Sequence, residues 1–380
     1  MTDQEPIAFV DLKAQYAANK AAIDTALQTV LDHGKFIMGP EIQELESRLC
    51  DFTGASQAVS CSSGTDALLM IMMAEGIGPG DAVFAPTFTF TATAEVLLLL
   101  GATPVFVDVD PDDFNIDPVD LEKKIAAVKA EGKLQPRGIL AVDLFGLPAD
   151  YPALSAVADA HGLKLWDDAA QSLGGSMDGS KIGTLGRATA VSFFPAKPLG
   201  CYGDGGAVLC SDKEMADTMR SIRAHGKGGE KYDIIRVGLN ARLDTMQAAV
   251  LLAKLPSFPD ELEQRERVAT AYDQRLSNVV KTPTRRPGRQ SAWAQYTLQV
   301  PADIRDDVSG KLKEKGIPTA VYYPKPMHLQ TAYAGFGGGP GSLPVSESLS
   351  GTVLSLPMHP FLTDEQIDRI TDAVVSAIPG

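Results

Sequence analysis

The chain is poor in cysteine, and the little it has forms no recognisable chemical arrangement. Four cysteines occur in 380 residues, Cys50, Cys61, Cys201 and Cys210, and no two make a CxxC pair. None of the five histidines stands at metal-ligand spacing to them. A disulfide-built scaffold is excluded, no metal site is expected, and the thiols read as incidental groups in a reducing compartment. Long apolar runs are missing as well: none approaches the ~20 residues that cross a bilayer. Positive charge is in deficit. The net charge of −14 argues against nucleic acid as a partner and against an anionic membrane surface, both of which need a basic face. Residues 1–12 carry acids and no apolar stretch, so no signal peptide is indicated and a cytoplasmic protein is expected.

What is present is an ordinary globular composition. Hydrophobic residues make up 44% and charged residues 22%, enough apolar material over this length for a large core and two domains. Short β-branched runs at 57–61, 82–86, 104–107, 138–142 and 163–167 alternate with helical patterns at 64–75, 91–100, 118–130 and 151–161. Such alternation predicts a largely parallel sheet covered by helices. Strands at 188–194 and 207–210 follow with no helix between them, so an antiparallel pairing is expected there. Before the sheet, Ile42, Leu45, Leu49 and Phe52 share one face of a helix that opens on Pro40. Beyond Asn240 the pattern changes: helices at 243–255 and 259–276, strands at 294–300 and 318–323, and helices at 308–315 and 364–378. The expected division is a large domain over 1–255 and a small C-terminal α+β domain over 256–380. Residues 335–341 read as a flexible glycine loop, and 226–229 as part of a mobile basic one.

Ligands of such sheets sit at the carboxyl ends of the strands. After the first strand comes Ser62-Ser63-Gly64-Thr65-Asp66, not a GxGxxG, which rules out a dinucleotide fingerprint. A glycine opening a helix suits a phosphate, or equally an ordinary helix cap. After the second strand, Phe88 or Phe90 could stack on a flat heterocycle, or either could be core. After the fifth, Asp167-Asp168-Ala169-Ala170-Gln171 offers an acid that wants a cation, or a helix cap. After the sixth, Lys197 lies between Pro195 and Pro198, with Ser192 before it and Gly203, Gly205 and Gly206 beyond. These glycines make room for a ring or allow unusual dihedrals. A lysine held there is suited to partial desolvation, which lowers its pKa and frees a neutral amine to attack an aldehyde. In that order the pieces describe a pyridoxal phosphate (PLP) site, where an acid keeps the pyridine nitrogen cationic and the ring takes up electrons.

Three segments carry a resemblance: Ser-Gly-Thr-Asp-Ala-Leu from Ser63, Asp-Ala-Ala-Gln-Ser from Asp168, and Ser-Phe-Phe-Pro-Ala-Lys-Pro-Leu-Gly-Cys-Tyr-Gly-Asp-Gly-Gly-Ala from Ser192. The chain resembles the DegT/StrS-type nucleotide-sugar aminotransferases over nearly its whole length. The resemblance implies an aspartate-aminotransferase-like fold (fold type I of the PLP enzymes) with a large, mostly parallel mixed sheet. It implies a homodimer with shared active sites. Carried over by motif, Gly64, Thr65 and Ser192 bind the phosphate, Phe90 stacks on the ring, Asp168 meets the ring nitrogen and Gln171 the ring oxygen. Lys197 is the Schiff-base lysine, where family dehydratases have histidine. Asn240 reaches the phosphate from the other subunit. The implied reaction moves an amino group from L-glutamate through pyridoxamine phosphate to a ketosugar. Resemblance in the lysine segment and around Tyr322-Tyr323 is to enzymes that aminate C3 of nucleotide-linked 3-ketosugars, one group acting on a UDP-N-acetylglucosamine uronate derivative. Arg242, Tyr322 and Tyr323 would then lie near the sugar. That group has histidine at the position of Tyr322, so a 3-keto-6-deoxy sugar on dTDP, or amination at C4, stays open, as does a PLP-binding regulator without turnover. Between 220 and 242, six basic residues (Arg220, Arg223, Lys227, Lys231, Arg236, Arg242) face two acidic ones, a local patch fit for a diphosphate or carboxylate, or equally a solvated loop with unpaired charges.

Overall fold

A computed structural model describes residues 6–230 and 232–379. Seven strands form its main sheet: β1 (Gln57–Cys61), β2 (Asp81–Pro86), β3 (Thr103–Val107), β4 (Gln135–Val142), β5 (Lys164–Asp168), β8 (Ala188–Ser192) and β9 (Gly206–Cys210). Their spatial order is β1-β9-β8-β5-β4-β2-β3. The run from β8 to β3 is parallel, and β9 is antiparallel to both β8 and β1, as the missing crossover helix requires. Two-residue strands β6 (Ser176–Met177), β7 (Ser180–Lys181) and β10 (Arg289–Gln290) make a small second sheet.

Burial on both faces explains the near-continuous apolar strands. On one face Leu140, Trp166 and Ala190 pack against α3 (Gly64–Ala74), α4 (Ala92–Leu99) and α7 (Lys213–Arg223). On the other, Ile139, Ala141 and Leu165 pack against α5 (Pro118–Glu131) and α6 (Tyr151–His161). Val191 and Leu209 face α2 (Pro40–Thr53) and α8 (Thr245–Lys254) on that same side. A long helix, α1 (Leu12–His33), lies along α8. It is absent from the sequence expectation because only Gln15, Ile23 and Val30 of its residues are buried, a stripe too thin to register as periodic.

A separate core gathers α9 (Phe258–Leu276), α10 (Arg305–Glu314), α12 (Asp364–Ala377) and the antiparallel pair β11 (Tyr296–Gln299) and β12 (Val353–Leu356). Ile7 joins it from the other end of the chain. Helix α11 (Pro344–Thr352) leads into β12. One expected strand does not form. In 318–323 only Ala320 pairs, with Ser355, and the rest runs as loop between Pro318 and Pro324, which have no N–H to give a ladder.

Candidate active site

The carboxyl ends of β1, β2, β5 and β8 open on one cavity of about 590 Å³. Each edge of it is set by local chain chemistry. At the end of β1, Ser63 caps α3 by accepting from the Asp66 N–H at 3.0 Å. This leaves Gly64 and Thr65 in the first turn, whose N–H groups have no carbonyl of their own helix to bond. Gly64 is required by contact: a Cβ there would stand 2.8 Å from Ser192 Cβ. Gly206 is tighter still, with a virtual Cβ 2.4 Å from the Ser63 carbonyl oxygen. The register brings these together, because Cys61 and Ser192 both pair with Gly206. None of Gly203, Gly205 and Gly206 takes a left-handed φ, so the expected unusual dihedrals are absent and close packing is their reason.

Strand β8 ends at Ser192, two residues short of expectation, because a tight turn intervenes. The Lys197 N–H donates to the Phe194 carbonyl at 2.8 Å, with Pro195 in the second position, where its fixed φ favours a β-turn. That turn delivers Lys197 into the cavity as the only cation among the described residues lining it. Burial lowers the Lys197 pKa, and the Asp168 charge opposes the shift. Asp168, 5% exposed, accepts from Thr93 Oγ1 at 2.7 Å and from the Ala170 N–H at 3.3 Å. Burial raises its pKa, while those two donors and Lys197 restrain the rise. Thr93 had no signal in the sequence beyond its place in a helical pattern.

The structure separates the two phenylalanines. Phe88 is fully buried in an aromatic core, whereas Phe90 lines the cavity at 55% exposure. Gln171 accepts from the Phe145 N–H at 2.6 Å, which turns its amide nitrogen toward the Tyr323 hydroxyl, 3.4 Å away. Tyr322 and Tyr323 form the opposite wall, their rings 5.9 Å apart and Phe9 packed against the first.

Asn240 and Arg242 do not line this cavity. They line a neighbouring recess with Ile37, Ser62 and Gln247, and Asp204 borders both spaces. Two members of the basic patch are used internally. Arg223 bonds Glu46 at 2.6 Å and Arg220 bonds Asp217 at 2.9 Å. Lys227, Arg236 and Arg242 carry no ion pair among the described residues, and Lys231 lies outside them. The glycines of this segment serve close contact as much as motion: a Cβ on Gly226 would meet the Arg236 carbonyl oxygen at 1.8 Å.

A buried amine and a buried carboxylate in one cavity, at the strand ends of a 1-9-8-5-4-2-3 sheet, define the aspartate-aminotransferase-like fold of type I PLP enzymes. The chain belongs to the DegT/DnrJ/EryC1/StrS aminotransferase family, whose sequence profile matches residues 18–375. It is 46% identical over 371 residues to the UDP-2-acetamido-2-deoxy-3-oxo-D-glucuronate aminotransferase of Pseudomonas aeruginosa, covering 97% of this chain and 100% of that one. A solved DegT/DnrJ/EryC1/StrS aminotransferase from Brucella abortus is 50% identical and superposes with a TM-score of 0.95, over 97% of this chain and 99% of that one. The PLP form of a sugar aminotransferase from Streptococcus pneumoniae is 26% identical, with a TM-score of 0.86 over 94% and 96% of the two chains.

Proposed function

We propose that the protein transfers an amino group from L-glutamate to C3 of a UDP-linked 3-keto-N-acetylhexosamine or its uronate, using PLP. One observation carries the reading: Lys197 and Asp168 share a cavity in which no other described cation meets the acid. The residues fit the cofactor. Asp168 is a buried acid in need of a cationic partner, and the glycine-bounded first turn of α3 beside Ser192 is a cradle that a Cβ would fill. When bound, PLP supplies an aldehyde that condenses with amines and a cationic ring that accepts electrons.

The chain's residues divide the remaining work. Gly64, Thr65 and Ser192 bind the phosphate; Phe90 covers one ring face; Gln171 meets the ring oxygen. Asp168 holds its negative charge against the ring nitrogen. Lys197, with its pKa lowered by burial, is available as a neutral amine to take a proton from the substrate carbon and return it elsewhere. Tyr322 and Tyr323 wall off water on the sugar side.

The active assembly is a homodimer in the cytoplasm, with Asn240 and Arg242 of one protomer completing the site of the other. Supporting this, Phe36, Ile37 and Met38 are exposed apolar residues, as are Tyr232 (84%), Ile234, Ile235 and Val237 (83%). Ile37 pairs with Asp244 beside the Asn240–Arg242 recess, so part of this apolar surface adjoins the recess. The test is spectroscopic and catalytic. Purified enzyme should show cofactor absorbance that glutamate shifts to the pyridoxamine form, and should aminate a UDP-3-ketosugar at C3 by NMR. Lys197→Ala should lose both the lysine-dependent absorbance and turnover, by roughly 10²–10⁴-fold or more. Unimpaired turnover in that variant would end the assignment.

A further inference from the structure

Behind Asp168, on the opposite face of the sheet, lies a group of acids that the proposed chemistry does not use. The registers place it. Asp168 pairs with Val142, which lines the cavity, while Asp167 pairs with Ala141 on the face covered by α5 and α6. Asp143 follows Ala141 by two residues and so points to that same covered face. On its other side Asp167 pairs with Thr189 of β8. Asp143, Asp167 and Thr189 are all fully buried.

Asp143 is well supplied with donors: the Ala149 N–H at 2.7 Å, the Tyr151 hydroxyl at 3.0 Å and the Ser172 hydroxyl at 2.8 Å. Asp167 is not. The hydroxyls of Tyr151 and Thr189 stand close to it, yet neither of its oxygens, nor Thr189 Oγ1, completes a hydrogen bond. No lysine, arginine or histidine among the described residues bonds to either carboxyl. The groups facing the pair are therefore Tyr151 from α6, Ser172 from the turn after β5, Thr189 from β8 and Asp168 through the strand, with Lys197 beyond it. Two bare negative charges cannot persist in such a place. Burial is the leading cause that raises both carboxyls, Asp143 to about 7 and Asp167 well above the ordinary carboxylate range.

We propose that Asp143 and Asp167 form a buried acid pair that keeps one shared proton, and that this pair positions the charge of Asp168 by sparing it a second anion across the strand. Asp143 is tied to Asp168 directly, since its N–H donates to the Asp168 carbonyl at 3.2 Å. While the proton stays, Asp168 can remain ionised opposite its ligand. Once the pair loses it, Asp168 faces an added negative charge, and protonation of Asp168 becomes easier. The role toward Asp168 rests on the function proposed above; the shared proton itself does not.

The experiment separates the two. Infrared spectra of the wild-type holoenzyme and apoenzyme, labelled with ¹³C at aspartate carboxyls, should contain a protonated carboxylic-acid carbonyl band that persists about one pH unit above the Asp143 midpoint of about 7. The band should shift in D₂O and disappear in Asp167→Asn. Ser172→Ala, which removes a donor to ionised Asp143, should move the band's midpoint to higher pH. Asp167→Asn copies the protonated acid, so at neutral pH it should keep kcat and the cofactor spectrum. Its alkaline loss of the protonated-ring spectrum should come about one pH unit later than in the wild type. A wild-type spectrum without the acid band, or a midpoint that does not rise in Ser172→Ala, overturns the shared proton. A band that behaves as stated while the cofactor spectrum titrates identically in Asp167→Asn overturns only the link to Asp168.

Discussion

Thr93 Oγ1 donates to Asp168 Oδ2 at 2.7 Å, and both groups are buried at the amino end of α4. The helix that closes one side of the cavity thus also orients the acid on its floor. Replacing Thr93 by valine keeps the shape and removes the donor. A buried ionised group that loses one hydrogen bond costs about 1–3 kcal/mol. We expect kcat/KM to fall roughly ten- to a hundredfold in Thr93→Val, with the Asp168 pKa rising and the pH profile narrowing on its acid side. Thr93→Ser should restore most of the loss. A valine variant with an unchanged pH profile would show that Asp168 does not depend on this bond.

Gly64→Ala sets a helix preference against a contact. Alanine is favoured over glycine inside a helix by about 1 kcal/mol. Here its methyl group would stand 2.8 Å from Ser192 Cβ, and overpacking of that kind costs about 1–3 kcal/mol. The contact should win: a lower Tm, and a weaker PLP affinity by equilibrium titration because the phosphate cradle is pushed open. Equal or higher Tm with unchanged affinity would show that Ser192 moves aside freely.

Much of this was legible in the chain, for physical reasons that differ by element. Strands β1, β2 and β5 are buried on both faces almost throughout, so their apolar runs stand out between turns and can be placed within a residue. β4 begins three residues before the expected 138 because its first three residues are not buried and carry no apolar signal. Helix α1 hides its signal in caps rather than periodicity. Asp11 accepts from the Ala14 N–H at 2.8 Å and Gly34 ends the helix in a left-handed conformation, so the bounds were readable where the interior was not. Residue type and position alone left Phe88 and Phe90 equivalent, since both follow the same strand; the resemblance named Phe90, and the tertiary fold sends Phe88 inward and Phe90 to the cavity. Thr93 and the Asp143–Asp167 pair were invisible for the same reason. The meaning of Thr93 lies in the packing of α4 over β5, and that of the two acids in which residues the parallel register sets beside them.

The proposed sharing of sites between protomers makes a prediction about mixtures. Lys197→Ala lacks the amine in its own cavity, and Arg242→Ala lacks the guanidinium that the partner is proposed to need. Each homodimer should be nearly inactive. Unfolded together and refolded, half the dimers should be mixed, and each mixed dimer should hold one intact site. Activity should then return to about a quarter of wild type per protomer. If the mixture stays as inactive as its parents while size-exclusion shows mixed dimers, Arg242 works in its own protomer's site or not at all.

His359 gives the clearest pH dependence of stability. It is 3% exposed, and burial, with Arg265 beside it, lowers its pKa from 6.5 to about 4. Arg265 is itself buried and holds the Trp293 carbonyl at 3.0 Å, so it is not free to move away. The folded form binds this proton less readily than the unfolded one. Stability from the neutral ring is therefore full above about pH 6.5 and is lost as pH falls toward 4, amounting to about 3 kcal/mol over that window. Buried acids elsewhere in the chain with raised pKa values act in the opposite direction, so the wild-type curve alone will not isolate the histidine. The difference between wild type and His359→Phe does. Measured by urea unfolding of the holoenzyme, the variant's deficit or surplus at neutral pH should shift in its favour as pH drops from 6.5 to 4, because phenylalanine has no proton to take up. A difference that stays constant across that range would mean that the ring gains its proton without opening this core.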